Sequence, residues 1–246
     1  MLRCLILFGG FSALVAAVPA TAQSWLPVRA PERTAPQSLA RSPEPAAIRH
    51  EKSGTAFFVD DAGHMLTARH AAESCTRIIV GKEGRAVDAR IVALSPNFDL
   101  ALIKVPKTLG LAAVFPRSAT PAVNDMVFAA AYDTLPAMMN RGGTLANATV
   151  VSSYGGSEAG YLVIDSTVTF GASGAPVLDS RGLVEGVISR RTMVNRVLAV
   201  GAAESKAFLI SNGIHFDQDD RPQIAGGGSR ANRAASISAR VTCLQN

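Results

Sequence analysis

Short apolar runs separated by turn residues fill most of the chain after Gly54. Gly, Pro, Asn and Asp cluster between these runs, and such clusters favour turns over continued strands. The strand candidates are residues 55–59, 65–68, 77–80, 87–94, 100–105, 126–131, 145–151, 161–164, 175–178, 184–189 and 197–200. Many short strands with little helix between them are typical of an all-β barrel or sandwich.

Helical patterning is confined to two short stretches. Residues 202–211 predict a helix that ends at an Asn-Gly pair, which favours helix termination. A single helical turn is predicted at residues 71–74, directly after His70. The end of the chain has no clear periodicity, so we expect residues 216–246 to form a C-terminal tail outside the folded domain.

The first residues have the pattern of a secretory signal peptide. Arg3 supplies a positive charge, residues 5–18 are apolar or small, and Ala20 and Ala22 place small residues before a cleavage site. A membrane anchor is the alternative interpretation, but the apolar run is shorter than the roughly 20 residues that span a bilayer. We therefore expect residues 1–22 to be removed and the protein to be exported, to the periplasm or outside the cell.

Residues 23–50 form a second distinct stretch, which is rich in Pro, Ala, Arg and Ser. Prolines at this density exclude both the interior of a helix and a central strand. We expect a linker or extended arm here, followed by a folded domain over residues 51–215. No later apolar run is long enough to span a bilayer, so no membrane contact is expected once the signal peptide is cleaved.

Composition narrows the functional classes. Hydrophobic residues make up 48% of the 246 residues and charged residues 17%, which allows a substantial buried core. The formal net charge of +5 is spread along the chain and only 6% of residues are aromatic, so nucleic acid is not an expected partner. The histidines and cysteines are scattered without metal-ligand spacing, so neither a metal nor another cofactor is predicted.

Two cysteines remain after removal of the signal peptide, Cys75 and Cys243. An even number of cysteines in an oxidising compartment favours a disulfide bond. Such a bond would tie the C-terminal tail to the segment just after His70. Two unpaired thiols remain the alternative.

Three local patterns contain residue types that nucleophilic catalysis uses. They are TARH, which ends at His70, NFD, which ends at Asp99, and GASGAP, which contains Ser173. A serine hydroxyl is a weak nucleophile and needs a base within hydrogen-bond reach to take its proton. Histidine suits that role because its pKa lies near neutral pH, and a carboxylate on its other ring nitrogen fixes the tautomer.

In these motifs and in their order the chain resembles the trypsin-like serine peptidases, most closely bacterial members of the HtrA/Deg and V8-like types. The resemblance covers residues 53–213. It implies an all-β fold of two antiparallel six-stranded β-barrels, with a boundary near residues 110–123 and a short C-terminal helix. HtrA-type proteins often have a peptide-binding PDZ domain after the peptidase, and none is expected in the residues that follow the helix.

The same resemblance implies a role for each motif residue. Ser173 would be the nucleophile, His70 the general base and Asp99 the group that orients the histidine. The backbone N–H groups of Gly171 and Ser173 would form the oxyanion hole. The expected activity is that of a serine endopeptidase, which cleaves protein or peptide substrates through an acyl-enzyme intermediate.

Two alanines depart from the usual pattern of this family. Ala172 replaces an Asp or Asn. In trypsin's own branch of the family, the carboxylate at this position pairs with the new N-terminus that zymogen activation exposes, and Ala172 lacks that carboxylate. Ala175 replaces a Gly. These departures keep open two other hypotheses, a catalytically weak or inactive binding protein of the same fold and an esterase with the same triad. The nucleophile elbow of α/β-hydrolases is excluded, because Ala175 breaks its motif and His70 precedes Ser173.

Substrate contacts are implied for two further segments. Ser189, Arg190 and Arg191 would line the primary pocket and bind the substrate backbone as an extended strand. Thr167 would lie at the pocket floor. Because Thr167 is not acidic, a preference for Lys or Arg is not expected, and a small or medium apolar substrate side chain is predicted. The two arginines could instead attract an acidic substrate.

Overall fold

The computed structural model describes residues 50–117, 121–140, 147–153, 159–226 and 228–245. The predicted signal peptide, and the predicted linker apart from His50, lie outside the described residues. The described part of the chain consists mainly of short strands, as the alternation of apolar runs and turns predicts.

The first barrel is closed and antiparallel, and it takes five strands from the first half of the chain and one from its end. Its strands are β1 (His50–Phe58), β2 (His64–Thr67), β3 (Arg77–Lys82), β4 (Arg85–Leu94), β5 (Ala101–Lys104) and β14 (Ser238–Gln245). They follow one another in the order β1-β14-β3-β4-β5-β2. Alternate side chains point inward, where Phe58, Met65, Val80 and Ile103 are fully buried.

β14 contradicts the expectation that the chain ends in a tail outside the folded domain. It pairs with β1 along its whole length and with β3 on its other side. Ala239, Val241 and Cys243 are completely buried and alternate with less buried residues. This period of two is present in the sequence, but small and polar residues weaken it as a strand signal.

The second barrel consists of a six-stranded antiparallel sheet. Its strands are β7 (Met126–Val127), β8 (Ala148–Ser153), β9 (Tyr161–Ser166), β10 (Pro176–Leu178), β11 (Val184–Met193) and β12 (Arg196–Gly201), in the order β10-β11-β12-β9-β8-β7. An antiparallel bridge between Phe128, next to β7, and Leu178 of β10 brings the two edges together and nearly closes the sheet. The prediction of an all-β fold with two barrels is confirmed.

The helices of the described residues are few and short. α3 (Ala202–Ser211) has the predicted bounds, and the predicted turn after His70 is α1 (Arg69–Ala72), which begins two residues earlier than expected. The sequence pattern does not predict α2 (Leu135–Asn140), α4 (Arg230–Ile237) or the parallel pair of β6 (Val114–Phe115) and β13 (Asp217–Gln218). No helix in the described ranges is long and apolar enough to cross a membrane.

A disulfide bond joins Cys243 of β14 to Cys75, which follows α1. The favoured interpretation of the two cysteines therefore holds, and they are not unpaired thiols. The bond closes a loop of 168 residues. By restricting the unfolded chain, a link across a loop of this length stabilises the fold by about 5 kcal/mol in the chain-entropy model.

The two barrels pack against each other through a shared apolar core. Phe57 and Leu102 from the first barrel and Val187 and Val200 from the second are buried in one cluster. Close-packed interiors of this kind resist relative movement of their parts. A site built from residues of both barrels depends on that rigidity.

Glu185 on β11 is an ionisable residue in the protein interior, with only 2% of its surface exposed. Its Oε2 atom has no hydrogen-bond partner among the described residues, and Arg181 Nη2 is 3.9 Å from Oε1. Burial, together with the negative charge of Asp179, raises the pKa of Glu185 to about 7. The site thus favours the neutral acid well above the usual pKa of a glutamate.

Glu185→Gln should remove a pH dependence of stability. The unfolded chain releases this proton near the ordinary pKa of 4.5, whereas the folded protein keeps it until about pH 7. Raising the pH through this interval therefore lowers the free energy of unfolding of the wild type, in total by about 3 kcal/mol. The variant lacks this decrease and should be the more stable protein at pH 8. Urea denaturation at pH 4.5 and pH 8 measures the difference.

Glu83 provides the matched control, since 68% of its side chain is exposed to solvent. Glu83→Gln should show the same decrease in unfolding free energy between the two pH values as the wild type. If Glu185→Gln shows that decrease as well, another group is responsible for it.

Candidate active site

Three side chains from separate parts of the chain meet where the barrels adjoin. His70 is on α1, Asp99 lies in the turn before β5, and Ser173 lies in the loop before β10. His70 Nδ1 is 2.8 Å from Asp99 Oδ2, and His70 Nε2 is 3.0 Å from Ser173 Oγ. The backbone N–H of His70 also donates to Asp99 Oδ1, at 3.0 Å. The three residues selected from the sequence thus form one continuous hydrogen-bonded row.

Hydrogen bonds keep Asp99 ionised although it is partly buried. Burial alone would raise its pKa, but hydrogen bonds from His70 and Ser189 outweigh that effect and lower the pKa of Asp99 to about 2. The hydrogen bond to this carboxylate raises the pKa of His70 above its ordinary value, against the opposing effect of burial. His70 is therefore a stronger base than a free imidazole, and Asp99 stabilises its protonated form.

Ser189 makes a contact that no pattern in the sequence predicts. Its hydroxyl donates to Asp99 Oδ2 at 2.6 Å, while the residue also lines the cavity next to Ser173. As a second donor to the same oxygen, it holds the carboxylate in place beside His70. No local pattern marks this contact, because Ser189 and Asp99 are 90 positions apart and belong to different barrels.

The loop that contains Ser173 is held by β1. The Thr55 N–H donates to the Ser173 carbonyl and the Thr55 hydroxyl donates to the Gly171 carbonyl, both at 2.8 Å. Gly171 has a φ of +86°, which glycine adopts at little steric cost. No acceptor among the described residues engages the N–H groups of Gly171 and Ser173. Both remain free to donate to a ligand, which is what an oxyanion hole requires.

The two unusual alanines of this loop are core residues. Ala172 is 2% exposed and Ala175 is fully buried, and both belong to the apolar cluster of the second barrel. The Ala175 N–H donates to the Ala172 carbonyl at 2.8 Å, and the Ile188 N–H donates to the Ala175 carbonyl at 2.9 Å. The loop therefore keeps an ordered set of backbone hydrogen bonds with alanine at both positions.

A cavity of about 580 Å³ adjoins Ser173 and His70. Part of its lining is apolar and includes Val168, Ile188 and Val197. Pockets of this kind bind apolar side chains and use a few polar groups for orientation.

Thr167 does not line this cavity, so its prediction as the pocket floor is wrong. The residue is exposed and lines a separate cavity with Asn147 and Asp165. Neighbouring residues of an extended segment point to opposite sides, and Val168 lines the cavity next to Ser173 instead. The predicted segment is therefore right, but Thr167 lies on its other face.

Arg190 and Arg191 both line the cavity next to Ser173. The Arg191 guanidinium donates to the backbone carbonyl of Val168, which fixes its position on the apolar side of the cavity. Arg190 is exposed. Positive charge is thus present at this cavity, but part of it is engaged with the backbone.

Gly174, next to Ser173, has a φ of +83° and lies against the first barrel. A Cβ at this position would be 2.2 Å from the Thr55 carbonyl oxygen and 2.3 Å from Thr67 Oγ1. Neither β1 nor β2 can move away without disrupting the barrel, so only glycine fits. This close approach holds the Ser173 loop against the barrel that contains His70.

Gly174→Ala should destabilise the protein by more than its backbone conformation explains. Gly213→Ala is the matched control, because Gly213 has a φ of +70° and open space around it. The control should lose about 1–2 kcal/mol of unfolding free energy. Gly174→Ala should lose at least about 2 kcal/mol more, since overlap with β1 and β2 adds to the strain. Equal losses in urea denaturation would contradict the close approach.

A family model described as a trypsin-like peptidase domain matches residues 54–187, which is more than half of the chain. The matched stretch contains His70, Asp99 and Ser173. It begins in β1 and ends in β11, so it includes strands of both barrels.

Curated relatives include both uncharacterised proteins and peptidases. The uncharacterized protein y4bJ of Sinorhizobium fredii is 30% identical over 88% of this chain and 36% of its own length. A probable periplasmic serine endoprotease, DegP-like, of Brucella suis is 28% identical over 60% of this chain and 29% of its own length. The serine endoprotease DegS of Salmonella typhimurium is 26% identical over 54% of this chain and 38% of its own length. The chain thus spans about a third of the length of these relatives.

A solved structure has the same fold. The crystal structure of the serine endoprotease from Yersinia pestis has a TM-score of 0.54 at 21% identity, over 65% of this chain and 57% of that chain. The two barrels, the family model over residues 54–187 and the DegP-like and DegS relatives all indicate a trypsin-like peptidase. The chain belongs to the trypsin-like peptidase family.

Proposed function

We propose that the protein is an exported serine endopeptidase. The row of Asp99, His70 and Ser173, with 2.8 Å and 3.0 Å between its hydrogen-bonded side-chain atoms, is the observation that supports this function best. The peptidase relatives imply protein or peptide substrates.

Cleavage of the peptide bond begins at Ser173. Its Oγ attacks the scissile carbonyl carbon while its proton passes to His70 Nε2, and Asp99 stabilises the resulting imidazolium. The N–H groups of Gly171 and Ser173 donate to the oxyanion of the tetrahedral intermediate. The imidazolium then gives its proton to the leaving amine, which leaves an acyl-enzyme on Ser173. Water that is deprotonated by His70 hydrolyses the ester and restores the serine.

Export to the periplasm or out of the cell belongs to the same proposal. Residues 1–22 have the charge and the apolar pattern of a signal peptide. The Brucella relative is named as a periplasmic endoprotease. The disulfide between Cys75 and Cys243 is of the kind that persists in an oxidising compartment.

A fluorophosphonate probe tests the nucleophile directly, because it reacts with a serine that a neighbouring base activates. The wild type should be labelled and should hydrolyse casein, and Ser173→Ala should lose both properties. Ser180→Ala, at an exposed serine, is the matched control and should be labelled at the wild-type rate. In-gel fluorescence measures the labelling.

Other outcomes of this experiment favour the rival hypotheses. An unlabelled wild type favours a binding protein that has the same fold without activity. Labelling with rapid ester hydrolysis but no cleavage of casein favours an esterase. If Ser173→Ala is labelled as fast as the wild type, Ser173 is not the nucleophile.

The substrate residue before the scissile bond is proposed to have a small or medium apolar side chain. Val168, Ile188 and Val197 line the cavity next to Ser173, and each is at most 8% exposed. Full burial of an aliphatic substrate side chain in this cavity contributes about 1.5–3 kcal/mol to the free energy of binding. A lysine side chain would lose its hydration beside these three residues, and the lining offers it one acidic residue, Asp133, against the two cations Arg190 and Arg191.

A peptide series that differs only in this residue tests the specificity. Val, Leu or Met should give values of kcat/KM at least about 10-fold above that of Lys. Glu is the informative competitor, because Arg190 and Arg191 line the same cavity. If Glu gives the highest kcat/KM and Arg191→Ala abolishes that advantage, the arginines set the specificity and the apolar preference is wrong.

A further inference from the structure

β14 pairs with β1, the strand that lies next to both catalytic segments. Gly54 of β1 is opposite Val241 of β14. A Cβ added at Gly54 would be 3.0 Å from the Cβ of Ala71, the neighbour of His70, and 3.1 Å from the Ser173 carbonyl oxygen. At Gly54, β1 therefore lies against both α1, which contains His70, and the loop that contains Ser173. β14 is one of its two partners in the barrel.

The last residues of β14 also hold the segment that follows α1. Thr76 donates to the Leu244 carbonyl from its backbone N–H at 2.8 Å and from its hydroxyl at 2.9 Å. The Gln245 side-chain amide donates to the Ser74 carbonyl at 3.2 Å. The disulfide between Cys75 and Cys243 adds a covalent link at the same place.

Ser74 is a strained residue between α1 and this disulfide. Its φ of 61° lies in the left-handed region, which costs a residue with a side chain about 1–2 kcal/mol. Such a conformation persists only where the surrounding structure determines it. Because Ser74 is next to Cys75, the disulfide is the strongest of the contacts that oppose its relaxation. Relaxation there would displace α1 and with it His70.

We propose that the disulfide between Cys75 and Cys243 positions His70, so that the catalytic geometry depends on oxidation of these two thiols. The inference rests on the proposed endopeptidase function. On oxidation the thiols give two electrons and two protons to a disulfide-bearing oxidant, which becomes a dithiol, and one S–S bond forms. A dithiol reductant reverses the step. The peptidase therefore reaches its full rate only in a compartment that oxidises thiols.

The expected signature is a change at His70 and not in substrate binding. Its backbone N–H and its Nδ1 both contact Asp99, so a displacement of α1 disturbs both hydrogen bonds together. The hydrogen bond with Asp99 is the main cause of the raised pKa of His70, and its loss lowers that pKa. The apolar lining of the substrate cavity belongs to the second barrel and has no link to β14 of this kind.

The experiment compares the oxidised full-length protein with Cys75→Ser/Cys243→Ser and with wild type reduced by dithiothreitol. In both forms that lack the disulfide kcat should fall about 10- to 100-fold, as expected for a displacement of roughly 1 Å, while KM changes less than about twofold. The pKa of His70, measured by NMR and assigned by the signal that His70→Gln lacks, should fall. Near-ultraviolet circular dichroism should retain the signal of the folded protein.

Two controls separate positioning from stability and from effects of the reagent. Val80→Ala truncates a fully buried residue of β3 and so costs stability with the disulfide intact. It should leave kcat and the pKa of His70 unchanged. Dithiothreitol should have no effect on Cys75→Ser/Cys243→Ser, which has no disulfide to reduce.

Two results overturn the proposal. In the first, the oxidised and reduced proteins have the same kcat and the same pKa of His70. In the second, the near-ultraviolet signal disappears together with kcat, because the disulfide then stabilises the fold as a whole and does not position one residue. If the oxidised wild type is inactive, the proposed function fails, and the pKa of His70 in the two redox states alone decides this inference.

Discussion

The hydrogen bonds of Thr55 are the constraint on which the geometry of the site depends. Thr55 is completely buried in β1, and its N–H and hydroxyl donate to the carbonyl groups of Ser173 and Gly171 in the other barrel. Its own carbonyl accepts from the Thr67 hydroxyl at 2.7 Å, at the end of the strand that leads into α1. One residue thus connects the Ser173 loop with the segment before His70. Because an unsatisfied buried polar group costs about 1–3 kcal/mol, each bond resists displacement.

The geometry of the site also depends on β14, the strand that closes the first barrel. His70 and Asp99 belong to this barrel, whereas Ser173 and Ser189 belong to the second. The first barrel closes only when β14, from the far end of the described chain, inserts between β1 and β3. The local contacts of the motif residues are therefore insufficient to form the hydrogen-bonded row of Asp99, His70 and Ser173. Correct geometry requires pairing between segments that are widely separated in sequence.

The sequence predicts those features that leave a local pattern. Apolar runs between turns predict the strands of both barrels, and the motifs around His70, Asp99 and Ser173 identify the residues that the fold brings together. β14 is not predicted because Val241 is the single β-branched residue among its buried positions, and Arg240 and Thr242 interrupt the apolar pattern. Thr167 is chosen in place of Val168 because an error of one residue in a strand reverses its face.

The two alanines near Ser173 indicate how the loop that contains it is held in this chain. A carboxylate at position 172 would have to be buried in the apolar cluster of the second barrel, at a large desolvation cost without a partner charge. Alanine avoids that cost, so no side chain at this position fixes the loop through an ion pair. The loop is held instead by the bonds from Thr55 and by the close approach of Gly174 to β1. Under the proposed function, the catalytic activity of Ser173 then depends on a first barrel in which all strands are paired. It does not depend on the release of a new N-terminus.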